Sequence, residues 1–224
     1  MLVAHDLLLL LLDDETGKIT SGAAEPDKAL AGAVLIDLAA RELVGVTTEG
    51  KKGRLVTLGG QVPPEAVLRH GLAVVREKEG HKPQSVLGPL AKGLRDQLAS
   101  DLIEAGVLRH EERKVLGLFR TTRLPAADSS HEAGLRDRLT AVLTGAAVPD
   151  GHTGPLIALL HAMGAVTSVI PVEDKRAAKR RAKEIADGDW AAAAVRKAVE
   201  EVQAAVMAAV IAATTASTAS AGSS

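Results

Sequence analysis

Cysteine and tyrosine are absent from the 224 residues, and there is one tryptophan and one phenylalanine. Without cysteine there is no disulfide, no thiolate metal site and no cysteine nucleophile. With so few aromatics the core has to be built from Leu, Val, Ile and Ala, and stacking platforms for single-stranded nucleic acid are missing. A charge excess is lacking too. The 27 Lys+Arg stand against 28 Asp+Glu, a formal net charge of −1, so an anion site has to be a local patch. Nor is there a long apolar run. Leu7–Leu12 is six leucines, far short of the ~20 residues of a membrane span. His5 and Asp6 precede it where a secretory signal would be basic. Ala204–Ala213 is also too short. These absences lead to the expectation of an intracellular chain whose membrane contact, if any, is peripheral.

The length suits one large domain or two small ones. Leu2–Leu12 reads as a helix leading into a strand that turns at Asp13–Gly17. Pro26 and Asp27 announce a helix over Lys28–Leu43, with Asp27 as N-cap and Leu30, Ala31, Val34, Leu35 and Leu38 at core spacing. Val44–Thr48 and Arg54–Leu58 form a hairpin with a basic tip. A helix follows Pro63–Pro64 to about Lys78. Ser85–Ala105 is predicted as one helix and Val107–Thr122 as a β-ribbon. Helices resume over Glu132–Leu143, Gly154–Met163, Asp174–Ala186 and Asp189–Ala213, with Trp190 docking the last. Thr214–Ser224 has the composition of a disordered tail.

Enzyme motifs are missing. The seven histidines are scattered without metal-ligand spacing, and no Walker loop, G-x-G-x-x-G or G-x-S-x-G occurs. Asp128-Ser129-Ser130-His131 holds triad residue types, but neighbours in one loop do not by themselves make a triad. A winged-helix DNA-binding reading would take Arg95–Glu104 as recognition helix with Arg113 and Lys114 in the wing. Asp96, Asp101 and Glu104 would then face phosphates. Lys92 and Arg95, three residues apart and so about 60° apart on a helix, suit an anion pocket equally. As ordinary solvated charges, Arg95 would pair with Asp96 or Glu104. Lys175–Lys183 carries six cations and reads as a solvated face that an anionic membrane would attract.

Several segments in one order carry a resemblance: L-L-L-L-L-L-D-D-E-T-G-K, L-A-G-A-V-L-I-D-L-A-A-R, L-R-D-Q-L-A-S-D-L-I-E-A-G-V-L and L-G-L-F-R-T-T, with R-A-K-E-I at Arg181–Ile185. Over about residues 2–212 the chain resembles the Golgi phosphoprotein 3 family. The resemblance implies a mainly α, single-domain helical bundle with short β-hairpins over residues 1–213, followed by the tail at 214–224. It implies a non-enzymatic peripheral membrane adaptor, cytoplasmic, binding phosphatidylinositol 4-phosphate or another anionic lipid, with no cofactor, no metal and no nucleic-acid partner. The family's phosphate-binding pair falls on Lys92 and Arg95, with Lys28 and Arg41 as possible additional membrane contacts. The family's loop tryptophan and first-turn helix arginine fall near Gly22 and on Ala31, where neither residue type is present. The Val107–Thr122 ribbon would support homo-oligomers. The alanine-rich, aromatic-poor composition fits a bacterial member, in which another phosphorylated ligand could replace the phosphoinositide. The winged-helix regulator and an oligomeric scaffold with a decayed pocket are the alternatives.

Overall fold

The computed structural model describes residues 1–13, 17–20, 22–47, 53–115, 119–125, 127, 129–188 and 197–221. Two apolar helices form its centre: α1 (Val3–Leu11) and α2 (Pro26–Ala40). Every residue of α2 from Ala29 to Ala39 is buried. A helix without a polar face has to be covered on all sides. The cover comes from α1, α3 (Ala66–Glu77), α4 (Pro83–Ala91), α5 (Leu94–Glu104), α7 (Thr153–Ala162) and α10 (Lys197–Ala221). The closest approach is at Gly32, where an added Cβ would lie 2.4 Å from Val206 Cγ1 of α10. The absence of a side chain at that position lets the two helices meet. Buried side chains from Leu2 to Val210 make one continuous aliphatic core, as the scarcity of aromatics requires.

The remaining elements frame this centre. β1 (Val44–Thr47) and β2 (Arg54–Thr57) pair antiparallel, with Val44 opposite Thr57. β3 (Glu111–Val115) and β4 (Phe119–Arg123) form a second antiparallel ribbon, with Glu111 opposite Arg123. α6 (Ser130–Leu143), the short α8 (Val166–Val169) and α9 (Lys175–Ala186) complete the described elements. The fold is mainly α with short hairpins, as expected. After α1, Leu12 makes only an isolated antiparallel bridge to Ile19.

Three local expectations change. Ser85–Ala105 is two helices, because Pro89 cannot donate its ladder bond and Gly93 takes the left-handed conformation at φ +72°. Asp27 is not the N-cap of α2. Glu25 occupies that place with φ +51°, and Asp27 lies inside the first turn. Val107 and Leu108, as expected, belong to the ribbon while also packing at the core: Arg109 N–H donates to Pro125 O and Ala127 N–H to Val107 O, continuing the register of Glu111 opposite Arg123. α10 continues through Ala221, so Thr214–Ala221 is helical instead of a disordered tail; a run of Ala with Thr and Ser at its end extends an existing helix. The expectation for Trp190 lies outside the described residues.

Candidate anion-binding site at the starts of α2 and α5

Lys92 and Arg95 are not on one helix. Lys92 is the exposed C-cap residue of α4, with extended backbone, and Arg95 lies in the first turn of α5 beyond the Gly93 bend. The bend replaces the fixed helical offset between them with two separate stems.

Arg95 pairs with neither Asp96 nor Glu104 in any ion pair found among the described residues; its partner comes from 68 positions away. Its Nε and Nη2 donate to Asp27 Oδ1 at 3.1 and 2.6 Å. Both bonds end on one carboxylate oxygen, so Nη1 keeps its two N–H groups for other acceptors. The pair is open to water, with 42% of the Arg95 side chain and 51% of Asp27 exposed. Lys28 follows Asp27 in the same turn of α2 and pairs with Glu25 at 2.9 Å. The first turn of α2 and the α4–α5 bend therefore bring Arg95 beside the Asp27–Lys28 turn, with Lys92 three residues before Arg95.

Arg41 is not brought there. It caps the opposite end of α2, about 20 Å along the helix from Lys28, and donates to Glu65 at 2.6 Å. The two positions that the resemblance assigns to an aromatic and an arginine also take definite places. A Cβ at Gly22 would meet nothing within 4 Å, but the backbone there has φ +99°. Ala31 lies in the second turn of α2, not the first, and is fully buried. An arginine at that point would have to thread out of the core.

A second group of charged side chains went unread in the sequence. Asp6, only 1% exposed within the leucine run of α1, accepts from His131 Nε2 at 2.7 Å and from His152 Nε2 at 2.6 Å. Burial works to raise the Asp6 carboxyl, yet the two imidazole hydrogen bonds and their charge outweigh it and hold it below the ordinary value. Asp150 orders one of these histidines: its Oδ1 accepts from the backbone N–H of His152 and Thr153 and from the Thr153 hydroxyl. At the start of α1, Asp37 of α2 accepts from the free N–H groups of Val3 and Ala4 at 2.9 and 3.0 Å, capping that helix from another element. Burial pushes the Asp37 carboxyl up to about 6 against the pull of these two donors. His131 thus serves Asp6 rather than its sequence neighbours. The signal that would have found the cluster is Asp6 itself, because a carboxylate inside an apolar helix has to be paired.

The basic run of α9 splits. Asp174 caps the helix by accepting from Arg176 and Ala177 N–H, Arg181 binds Glu184, and Lys183 binds Asp187. Lys175, Arg176, Lys179 and Arg180 are exposed. Among the described residues no helix is long and apolar enough to cross a membrane, and no group of three or more His, Asp or Glu side chains is placed to hold a metal ion.

No curated protein matches the chain. A family model described as Golgi phosphoprotein 3 (GPP34) matches residues 3–202, which takes in α1, the Asp27–Arg95 pair, both hairpins and the start of α10. With most of its length covered by that one match, the chain belongs to the Golgi phosphoprotein 3 family.

Proposed function

We propose that the chain is a non-enzymatic, peripheral membrane adaptor on the cytoplasmic side. It binds phosphatidylinositol 4-phosphate or another anionic lipid headgroup through Lys92 and Arg95, with Lys28 as a further contact. Family membership supports the class of function. The observation that carries the site is the Arg95–Asp27 pair, which brings the guanidinium to the surface beside the first turn of α2 and, by ending on one carboxylate oxygen, leaves Nη1 to donate. A planar guanidinium matches a phosphate with two parallel N–H bonds, while the ammonium of Lys92 adds a mobile point charge. Lys28 follows Asp27 in the same turn of α2, so it joins Lys92 and Arg95 as a third cation at this junction, with the Asp27 and Glu25 carboxylates as their competitors. Arg41 has no part in this site. The β3–β4 ribbon is the element through which copies of the chain would associate.

Flotation with vesicles containing phosphatidylinositol 4-phosphate tests the site. Binding should fall at least several-fold in Lys92→Ala/Arg95→Ala and weaken with salt, since screening acts over about 8 Å at physiological ionic strength. Unchanged flotation of the double variant would remove these two residues from the site. A wild-type chain that binds no anionic vesicle at low salt would remove the lipid function.

A further inference from the structure

A second cationic recess lies at the other end of α4, and nothing in the proposed lipid site uses it. It is a cavity of about 490 Å³, open to solvent and lined by Arg54, His81, Lys82, Gln84 and Ser85. Its walls are rigid. Leu55 N–H donates to His81 O and Gly80 N–H to Leu55 O, both at 2.9 Å, so the turn before α4 is tied to β2. Arg54 Nη1 adds a bond to Gly80 O at 2.7 Å. His81 Nδ1 lies 3.1 Å from Lys78 O and 3.2 Å from Glu79 O, which fixes the ring and its tautomer and leaves Nε2 as the other ring nitrogen.

The charge balance differs from that at Arg95. Among the described residues no acidic side chain lines the cavity, and neither Arg54 nor Lys82 has a carboxylate within ion-pair distance. Among the described residues the guanidinium of Arg54 is held through one nitrogen and the Lys82 ammonium has no partner. Two cations lining one recess with no counter-ion among the described residues favour an anion there.

The recess does not end at the cations. Lys82 and Gln84 also line an adjoining hollow of about 250 Å³ whose other walls are Gly53, Pro83 and the alanine face of α10 at Ala205, Ala208, Ala209 and Ala212. A polar ligand alone would have no use for that apolar extension.

We propose that Arg54 and Lys82 bind the phosphate of an anionic amphiphile whose alkyl chain lies along Ala205–Ala212 of α10, with His81 as a wall of the recess. The site is distinct from the pair at Lys92 and Arg95, with the length of α4, about 13 Å, between them. It does not depend on that pair being a lipid site.

Calorimetric titration of the full chain with dihexanoyl phosphatidic acid, monomeric in solution, and with glycerol 3-phosphate tests the proposal without vesicles. The short-chain lipid should bind, and glycerol 3-phosphate should bind at least ten-fold more weakly. Arg54→Gln/Lys82→Gln should reduce lipid binding ten-fold or more. Lys82→Gln alone, which leaves the Arg54–Gly80 bond intact, should reduce it several-fold. Ala208→Glu, at an exposed position, should reduce binding of the lipid and not of glycerol 3-phosphate. Lys92→Ala/Arg95→Ala should leave both affinities unchanged. Three outcomes overturn the proposal: no heat with either probe, equal affinity for the two, or lipid binding that survives both glutamine variants. A loss confined to Lys92→Ala/Arg95→Ala would return the phosphate to the other end of α4.

Discussion

Two aspartates of this chain meet basic side chains at similar distances and serve opposite ends. Asp6 receives His131 and His152 at 2.7 and 2.6 Å in the interior. Asp27 receives Arg95 at 2.6 Å at the surface. The interior carboxylate has lost its water, so its partners are what make its burial tolerable, and removing them exposes the whole desolvation cost. The surface carboxylate keeps half its exposure, so its bond to Arg95 adds little stability and can be exchanged for another anion. Equal geometry therefore carries different meaning: one cluster holds α1 against α6 and the segment before α7, and the other is a gate on a cation.

The largest break in this comparison is Asp6→Ala. It unties three segments at once and leaves two imidazoles facing an apolar helix. We expect a loss of about 3 kcal/mol, the lower end for a broken buried pair because both histidines keep some contact with water. Urea denaturation at pH 7 measures it. Vesicle binding of the folded fraction should be unaffected, since neither Asp6 nor its two histidine partners belongs to the proposed site. A loss below about 1 kcal/mol would show that the cluster does not tie the three segments.

The next effect sharpens the interior side. Asp37 titrates in the folded chain near 6 instead of its ordinary 3.8, so between those values the folded state binds more protons than the unfolded one. Stability then falls as pH rises from about 4 to about 6, by about 2–3 kcal/mol. Asp6 has the opposite sign. Its lowered value contributes stability above its unfolded value that is lost only as the pH falls further. Denaturation profiles of the wild type and Asp37→Asn should differ in slope across pH 4–6, with the variant flat for this group. Parallel profiles would mean that Asp37 is ionised throughout in the fold.

These two regions were unequally legible. Helical periodicity and Pro-Asp or Pro-Pro starts located most helices, because a 3.6-residue repeat and a missing N–H act locally. Spacing and the family's order of segments both point to Lys92 and Arg95. Their true relation was missed because Pro89 and Gly93, both visible, were overridden by the apolar pattern around them. Asp27 as partner of Arg95 lay 68 residues away, beyond any local rule. The Asp6 cluster joins positions 6, 131 and 152, so scanning histidines for ligand spacing along the chain could not assemble it. The buried Ala31 shows the same limit from the other side, since matching a motif fixes a position but not the side of the helix that is free.

The smallest change in stability should come from Asp27→Asn, and it is the sharpest test of the surface side. The variant keeps the shape of the side chain and an oxygen for one Arg95 N–H, so the fold should lose less than about 1 kcal/mol. What it removes is the formal charge competing with a ligand for the guanidinium. If Asp27 only positions Arg95, binding to vesicles containing phosphatidylinositol 4-phosphate should drop, because the weaker hydrogen bond lets the side chain wander. If Asp27 mainly masks Arg95, binding should rise, because a net positive charge is gained beside Lys28 and Lys92. The solvent exposure of both partners favours masking, since in water the orienting bond is weak while the charge acts beyond contact distance. We therefore expect a rise of several-fold at low salt that shrinks at high salt. A fall would make the Asp27–Arg95 bond part of the binding geometry, and the surface pair would then resemble the buried one, with a carboxylate needed to hold its partner in place.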